Sequence, residues 1–264
     1  MKKVLATVLT MGLALSFVGC GNNAQTPAND SASVENSAEA SANEATEAAS
    51  EEASVEEVAD DAKSEGVMTY AEYVAAELDS EVVVETYVQA KQSWWEDKAT
   101  FYTQDQDGAY FIYEMACSEE EYNQLVPGTK IKVTGVKSEW SGEVEITDAT
   151  FEIEEGTFIA EAKDATDLLG KDELVDLQNQ LVYFTDLTVE KVEFKNDEPG
   201  DDIYVTFSKD GNSYDFCLEY YLNGSDEEFY NLVSNLEAGT TVDVEGFLYW
   251  YEGANPHITK VTVK

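Results

Sequence analysis

Beyond residue 66 apolar and polar positions alternate along most of the chain, and they do so in two passages of similar order. In "EVVVETYVQA" (81–90), Val82, Val84, Thr86 and Val88 share one face, which predicts a half-buried strand. "ATFYTQ" (99–104) and "AYFIYEM" (109–115) predict a second and third strand, joined by a hairpin turn at "DQDG", where Asp-Gly supplies positive φ. Ser118 with Glu121 three residues on predicts a capping box opening a short helix, and Pro127-Gly128 ends it. "KIKVTGV" is a fourth strand, "KSEWSG" a loop, and "EVEITDATFEI" a fifth strand, bulged near Asp148.

The second passage repeats the order. "QLVYFTDLTVEKVEF" and "DIYVTFS" predict two strands, "KDGN" a turn, and "SYDFCLEY" a third strand. Ser225 and Glu228 repeat the capping box, and Phe229, Leu232, Val233 and Leu236 fall on one helical face. Gly239 ends the helix, "TVDVEGFLYW" is strand four, "YEGANP" a loop, and "HITKVTV" strand five. Gly108 matches Gly211, Ser118 matches Ser225, Gly128 matches Gly239, and Ile146 matches Ile258, all in one order. So many landmarks at nearly constant spacing imply a duplicated module.

Three strands, a short helix and two further strands make the order of the OB-fold. "PGTKIKVTGVKSEWSGEVEITDATFE" resembles the last hairpin of bacterial OB-fold domains, which occur in tandem in lipoproteins of Gram-positive, Clostridia-like anaerobes. The fold class expected is mainly β, two tandem OB-fold-like five-stranded barrels, each with a short helix between strands three and four. Their expected bounds are 67–155 and 156–264.

The N-terminal patterning is of another kind. "MKKVLATVLTMGLALSFVGC" carries Lys2 and Lys3, an apolar run from Val4 to Val18, then Gly19 and Cys20. This is a secretory signal of residues 1–19. Phe17-Val18-Gly19-Cys20 resembles the bacterial lipobox, with Phe17 where Leu is usual. The resemblance implies cleavage before Cys20, lipidation of that cysteine and residence on the outer face of the cell membrane. Residues 20–66, rich in Ala, Ser and Glu and without aromatics, predict a disordered acidic tether.

Charge narrows the partners. Against 55 Asp and Glu stand 15 basic residues, a formal net charge of −40, and every basic residue is lysine. Arginine supplies the fork that grips phosphates and guanine edges, and phosphate neutralisation drives most nucleic-acid affinity, so no nucleic acid is expected as a partner. The inventory for catalysis is thin. His257 is the sole histidine, expected at the surface or a strand edge. Cys117 and Cys217 do not align between copies and are expected as free thiols. Asp105-x-Asp107-Gly108 lacks the further ligands of a calcium loop, and "NDEPGDD" (196–202) offers loose calcium binding at most. No metal site, cofactor or enzyme activity is expected.

Binding is the expected function. OB-folds use the face of strands two and three, bordered by the loops between strands one and two and between four and five. In the first copy those loops carry Trp94, Trp95 and Trp140, and the strands between them carry Tyr102, Tyr110 and Tyr113. The candidate ligand-binding residues are therefore Trp94, Trp95, Trp140, Tyr102 and Tyr110, for an extracellular glycan or protein. Two other readings stay open: an OB-type nucleic-acid binder, and a structural accessory of an envelope complex with no small ligand. Replacing Cys20 with Ala should abolish incorporation of labelled palmitate and leave an uncut precursor; normal labelling of that variant would refute the anchor.

Overall fold

The computed structural model describes residues 63–264, so the signal peptide, Cys20 and the tether up to residue 62 lie outside the described residues. The first element is a helix the alternating pattern did not announce, α1 (Tyr70–Ala75), opened by a capping box between Thr69 and Glu72. Then follow β1 (Glu81–Lys91), β2 (Lys98–Gln104), β3 (Ala109–Ala116), α2 (Glu119–Gln124), β4 (Thr129–Trp140) and β5 (Glu143–Thr157). These five strands close into a barrel in the order β1-β2-β3-β5-β4, with β1 pairing β4 and β3 running parallel to β5. That circuit, with α2 between β3 and β4, is the OB arrangement. Its core is apolar: Val82, Val84, Val88, Phe101, Ile112, Ile131, Val133 and Ile146 are all fully enclosed.

The second half begins with β6 (Lys163–Asp164) and two short 3-10 turns over 166–177, none of which the alternation predicted. Then come β7 (Leu181–Phe194), β8 (Ile203–Lys209), β9 (Asn212–Leu218), α3 (Tyr220–Asn223), α4 (Glu227–Ser234), β10 (Thr241–Phe247) and β11 (His257–Val263). They form a six-stranded sheet, β10-β11-β9-β8-β7-β6, in which β10 also pairs β7. The sheet therefore has one strand more than the five expected, because β6 lies parallel to β7. Its core is built on Phe184, Leu187, Phe207, Phe216, Val233 and Val244. The residues from 63 to 264 pack as one unit, with strands of the first sheet ending at Thr157 and those of the second starting at Lys163.

Local chemistry follows the pattern with instructive exceptions. Ser118 and Glu121 form the expected capping box of α2. In the second half the cap is Asp226, whose carboxylate accepts from the Phe229 amide at 2.9 Å, and not Ser225. The reason is α3, capped by Glu219, which occupies the residues just before and shifts the next helix start by one. The Asp210-Gly211 turn is left-handed at both residues, as an Asp-Gly hairpin demands. Gly108 is not left-handed. There the Asp105 carboxylate closes the turn itself, accepting from the amides of Asp107 and Gly108 at 2.8 Å each. Lys63, at the end of the expected tether, is docked: its ammonium lies 2.8 Å from Asp105 and 3.2 Å from the Glu85 carbonyl.

The two glycines of "KVTGV" and "DVEGF" have one shared task. Gly135 faces Val82 on β1 and Gly246 faces Val182 on β7, each where the pairing with the next strand slips. A Cβ at Gly135 would stand 2.6 Å from Ile146 and 2.8 Å from the Thr147 carbonyl oxygen. At Gly246 it would stand 2.3 Å from the His257 carbonyl oxygen. The fourth strand must press its backbone onto the fifth at this bulge, and only glycine leaves the room. Gly135→Ala and Gly246→Ala should each lower unfolding free energy by about 1–3 kcal/mol in urea titration, the usual cost of overpacking, whereas Gly211→Ala, with open space around it, should act only through its turn.

Candidate ligand-binding cleft

Alternation along β2 and β3 sends Phe101, Tyr110 and Ile112 into the barrel and Tyr102, Phe111 and Tyr113 outward. The outward residues do not face solvent alike. Tyr102 and Phe111 are covered by Phe247, Tyr249 and His257 of the second half, forming a small core of their own. Tyr102 stacks on Phe247 with centroids 4.6 Å apart, and Phe111 meets Tyr249 edge-on at 5.3 Å. The Tyr102 hydroxyl and Nδ1 of His257 share a hydrogen bond of 2.5 Å. Polar ties continue the seam: Gln104 accepts from the Leu181 amide, Gln178 donates to the Gly142 carbonyl, and Asn179 donates to the Val144 carbonyl. The face on which OB-folds hold ligands is thus occupied, in the first barrel, by the second half of the same chain.

Two expected site residues are corrected by this packing. Tyr110 is fully buried inside the barrel against Tyr70 and Tyr73, so it reaches no ligand. Tyr102 points outward as alternation requires, but the second half covers it. The tryptophans also part company. Trp94 packs on the barrel core and its indole donates to the Cys117 carbonyl at 2.9 Å. Trp95, 69% exposed, lies with Trp94 and Tyr221 along a concavity of about 350 Å³. Trp140, 54% exposed at the end of β4, belongs to a different and larger space.

That space is a cleft of about 720 Å³ beside the seam, where β3 and β5 approach β8, β9 and the start of β11. Trp140 leans on Tyr251 at 5.2 Å, Tyr113 stands on the barrel side, and Tyr249 lies stacked on His257 at 4.2 Å. Carboxylates enter the same cleft. Glu145 is held above the usual carboxylate range by burial. Glu219 is pushed up to about 7 by burial and by neighbouring Asp202, while it also accepts from the Leu222 amide at 2.6 Å. Asp202 is bound by Lys195 at 2.9 Å and by the Tyr220 amide at 2.9 Å. The "NDEPGDD" loop thus directs Asp201 and Asp202 at a lysine, and no metal-holding group of three acidic, histidine or cysteine side chains occurs among the described residues.

The reactive groups are quiet. His257, expected at the surface, is buried, and burial lowers its pKa to about 3. Cys117 and Cys217 are buried and unbridged; burial raises the Cys117 thiol to about 11 and moves Cys217 in the same direction. Sequence reasoning missed Glu145, Glu219, Tyr249 and His257 as cleft residues because they converge from different strands. The one available signal was the aromatic density of "FLYWYEGANPH".

No protein-family profile matches the chain, and no curated protein matches its sequence. Among solved structures the chain is similar to a murine DNA-binding protein bound with double-stranded DNA, at 12% identity and a TM-score of 0.36, covering 69% of this chain and 96% of that one. It is also similar to the Ifi202 HINa domain in complex with 20-bp double-stranded DNA, at 12% identity and a TM-score of 0.33, with 70% and 98% covered. A third is a replication protein A heterotrimer bound to single-stranded DNA, at 12% identity and a TM-score of 0.31, with 70% and 49% covered. All three were solved with DNA, so the exclusion of nucleic acid as a partner is corrected and withdrawn. Net charge sums over every surface and does not decide what one groove holds. At TM-scores below 0.5 the likeness assigns no ligand to this chain.

Glu143 marks the seam electrostatically. It is fully buried, accepts from the Trp250 amide at 2.8 Å, and is raised by burial from 4.5 to about 8. A carboxyl raised on folding favours the folded state when protonated, so its contribution is full below pH 4.5 and is lost as pH climbs through about 8. Glu143→Gln should therefore gain stability over the native protein progressively across that window in urea titrations, and show the smallest difference at the acid end.

Proposed function

We propose that this chain is a non-enzymatic extracytoplasmic lipoprotein, held to the membrane through Cys20, that binds a glycan or protein partner in the cleft between two OB-like modules. In this reading the second sheet is itself an OB-like module, its circuit closed through the β7–β10 pairing and extended by β6. Its strand order, with α3 and α4 between β9 and β10, parallels that of the first barrel. The resemblance to tandem OB-fold lipoproteins of Gram-positive bacteria accords with both the lipobox and this duplication. No helix among the described residues is long and apolar enough to cross a membrane, so a lipid would be the attachment the reading requires.

The observation that carries the reading is the cleft. Its rim has three half-exposed rings, Tyr113, Trp140 and Tyr251, and its floor has carboxylates and amides that can meet hydroxyls or peptide groups. The same chemistry speaks against catalysis. His257 stays neutral down to about pH 3 and burial holds the Cys217 thiol protonated, so neither offers the charged form a histidine–thiol pair needs. Of the cleft carboxyls Glu219 titrates near neutrality, and in this reading no second group among the described residues is placed to work with it.

Glycan and peptide arrays probed with the chain from residue 21 onward should give hits that Trp140→Ala and Tyr251→Ala each weaken by about 1 kcal/mol, as aromatic contacts closing over a ligand do. Their melting temperatures should stay close to that of the native protein, since both rings are about half exposed. Salt-sensitive binding of a single-stranded oligonucleotide that survives both substitutions would move the reading to the nucleic-acid alternative.

A further inference from the structure

Glu145 is the unexplained group of the cleft. It lies on β5, opposite Phe111 of β3 and Ser138 of β4, and is only 7% exposed. Its carboxylate lines the cleft, yet it has no hydrogen-bond or ion-pair partner among the described residues. The side chain is largely enclosed while its carboxylate opens only onto the cleft, and a charge so placed gains from an opposite one brought to it. Lysines pair other carboxylates nearby, Lys195 with Asp202 and Lys98 with Glu114, but none reaches Glu145. Its neighbours on the cleft wall are rings. Tyr113 and Tyr249 both lie within electrostatic reach of it, and Trp140 and Tyr251 complete the mouth.

Resting on the cleft-binding reading above, we propose that the cleft takes an organic cation, an alkylammonium group carried by a small molecule or by the partner, with Glu145 as counter-ion and Tyr113, Trp140, Tyr249 and Tyr251 as the enclosing rings. The faces of aromatic rings attract cations, most strongly where water is excluded, and quaternary and methylated ammonium groups are held by such cages. An unpaired carboxylate facing the cleft supplies what a ring cage lacks, a full opposite charge. Glu219, on the opposite wall and shared with Asp202 and the α3 amides, adds to the negative field without being free to close on the ligand.

Choline and its uncharged isostere 3,3-dimethylbutanol have the same shape and differ in the charge. Titration calorimetry on the chain from residue 21 onward should show choline binding at millimolar concentration or better, and the isostere at least about tenfold more weakly. Glu145→Gln, which removes a charge that nothing in the fold pairs, should leave stability to urea undiminished and weaken choline about tenfold; Trp140→Ala, on the neighbouring strand β4, should weaken it similarly. Equal binding of choline and the isostere, or choline binding indifferent to Glu145→Gln, overturns the proposal, as does no binding of choline, spermidine or trimethyl-lysine. If those cations fail while a neutral glycan binds in a Trp140-dependent way, the cation proposal falls and the cleft reading stands; if neither class binds there, both fall.

Discussion

The structure depends on one packing event, the covering of Tyr102 and Phe111 by Phe247, Tyr249 and His257. Rings on the outside of a barrel are a liability in water and an asset against a second surface, and each edge or offset pair adds about 0.5–1.5 kcal/mol beyond the area it buries. Once that seam forms, much else follows. The outer face of β2 and β3 is covered, the halves pack as one unit, and a ring-walled cleft of about 720 Å³ opens beside the contact. The two halves meet through unlike surfaces, the outer face of β2 and β3 on one side and the β10–β11 end on the other.

The seam also dictates the electrostatics. Glu143, Glu145 and Glu219 are displaced from ordinary carboxylate behaviour because two halves close over them, and burial is the first cause for each. They differ in what meets them. Glu143 is answered by backbone and amide donors, Glu219 by the start of α3, and Glu145 by nothing within the described residues. His257 is the counterpart: the same closure strips it of water and leaves it a neutral hydrogen-bonding ring. The site thus alternates rings and acids around a histidine held neutral.

Strands were legible because each of their residues reports its own side, and period two in "EVVVETYVQA" or "TVDVEGF" needs no knowledge of the rest. The Ser118 capping box was legible for the same reason, being closed within four residues. Where neighbouring elements intervene, local signals mislead: α3 moved the second cap to Asp226, and the Asp105 carboxylate took over the turn at Gly108. The cleft was the least legible. Tyr102 reads as exposed by alternation and Tyr110 as equal to it, and only the fold shows one under the second half and the other inside the barrel. Glu145 is one acid among 55 until the strands that isolate it are in place.

The docking of Lys63 has a mechanical consequence. The chain enters the first module through an ammonium held by Asp105 and the Glu85 carbonyl, and by the Met68 amide bonded to the Val83 carbonyl. Tension arriving along the preceding segment would be taken first by a shielded ion pair at the edge of the barrel, before β1 is pulled. Asp105 also closes the 105–108 turn, so the same carboxylate that takes the strain is stiffened by two amides behind it. The first lysine of the described chain is thus locked to the turn that joins β2 to β3, so a pull on residue 63 would meet that turn before it met the aromatic seam.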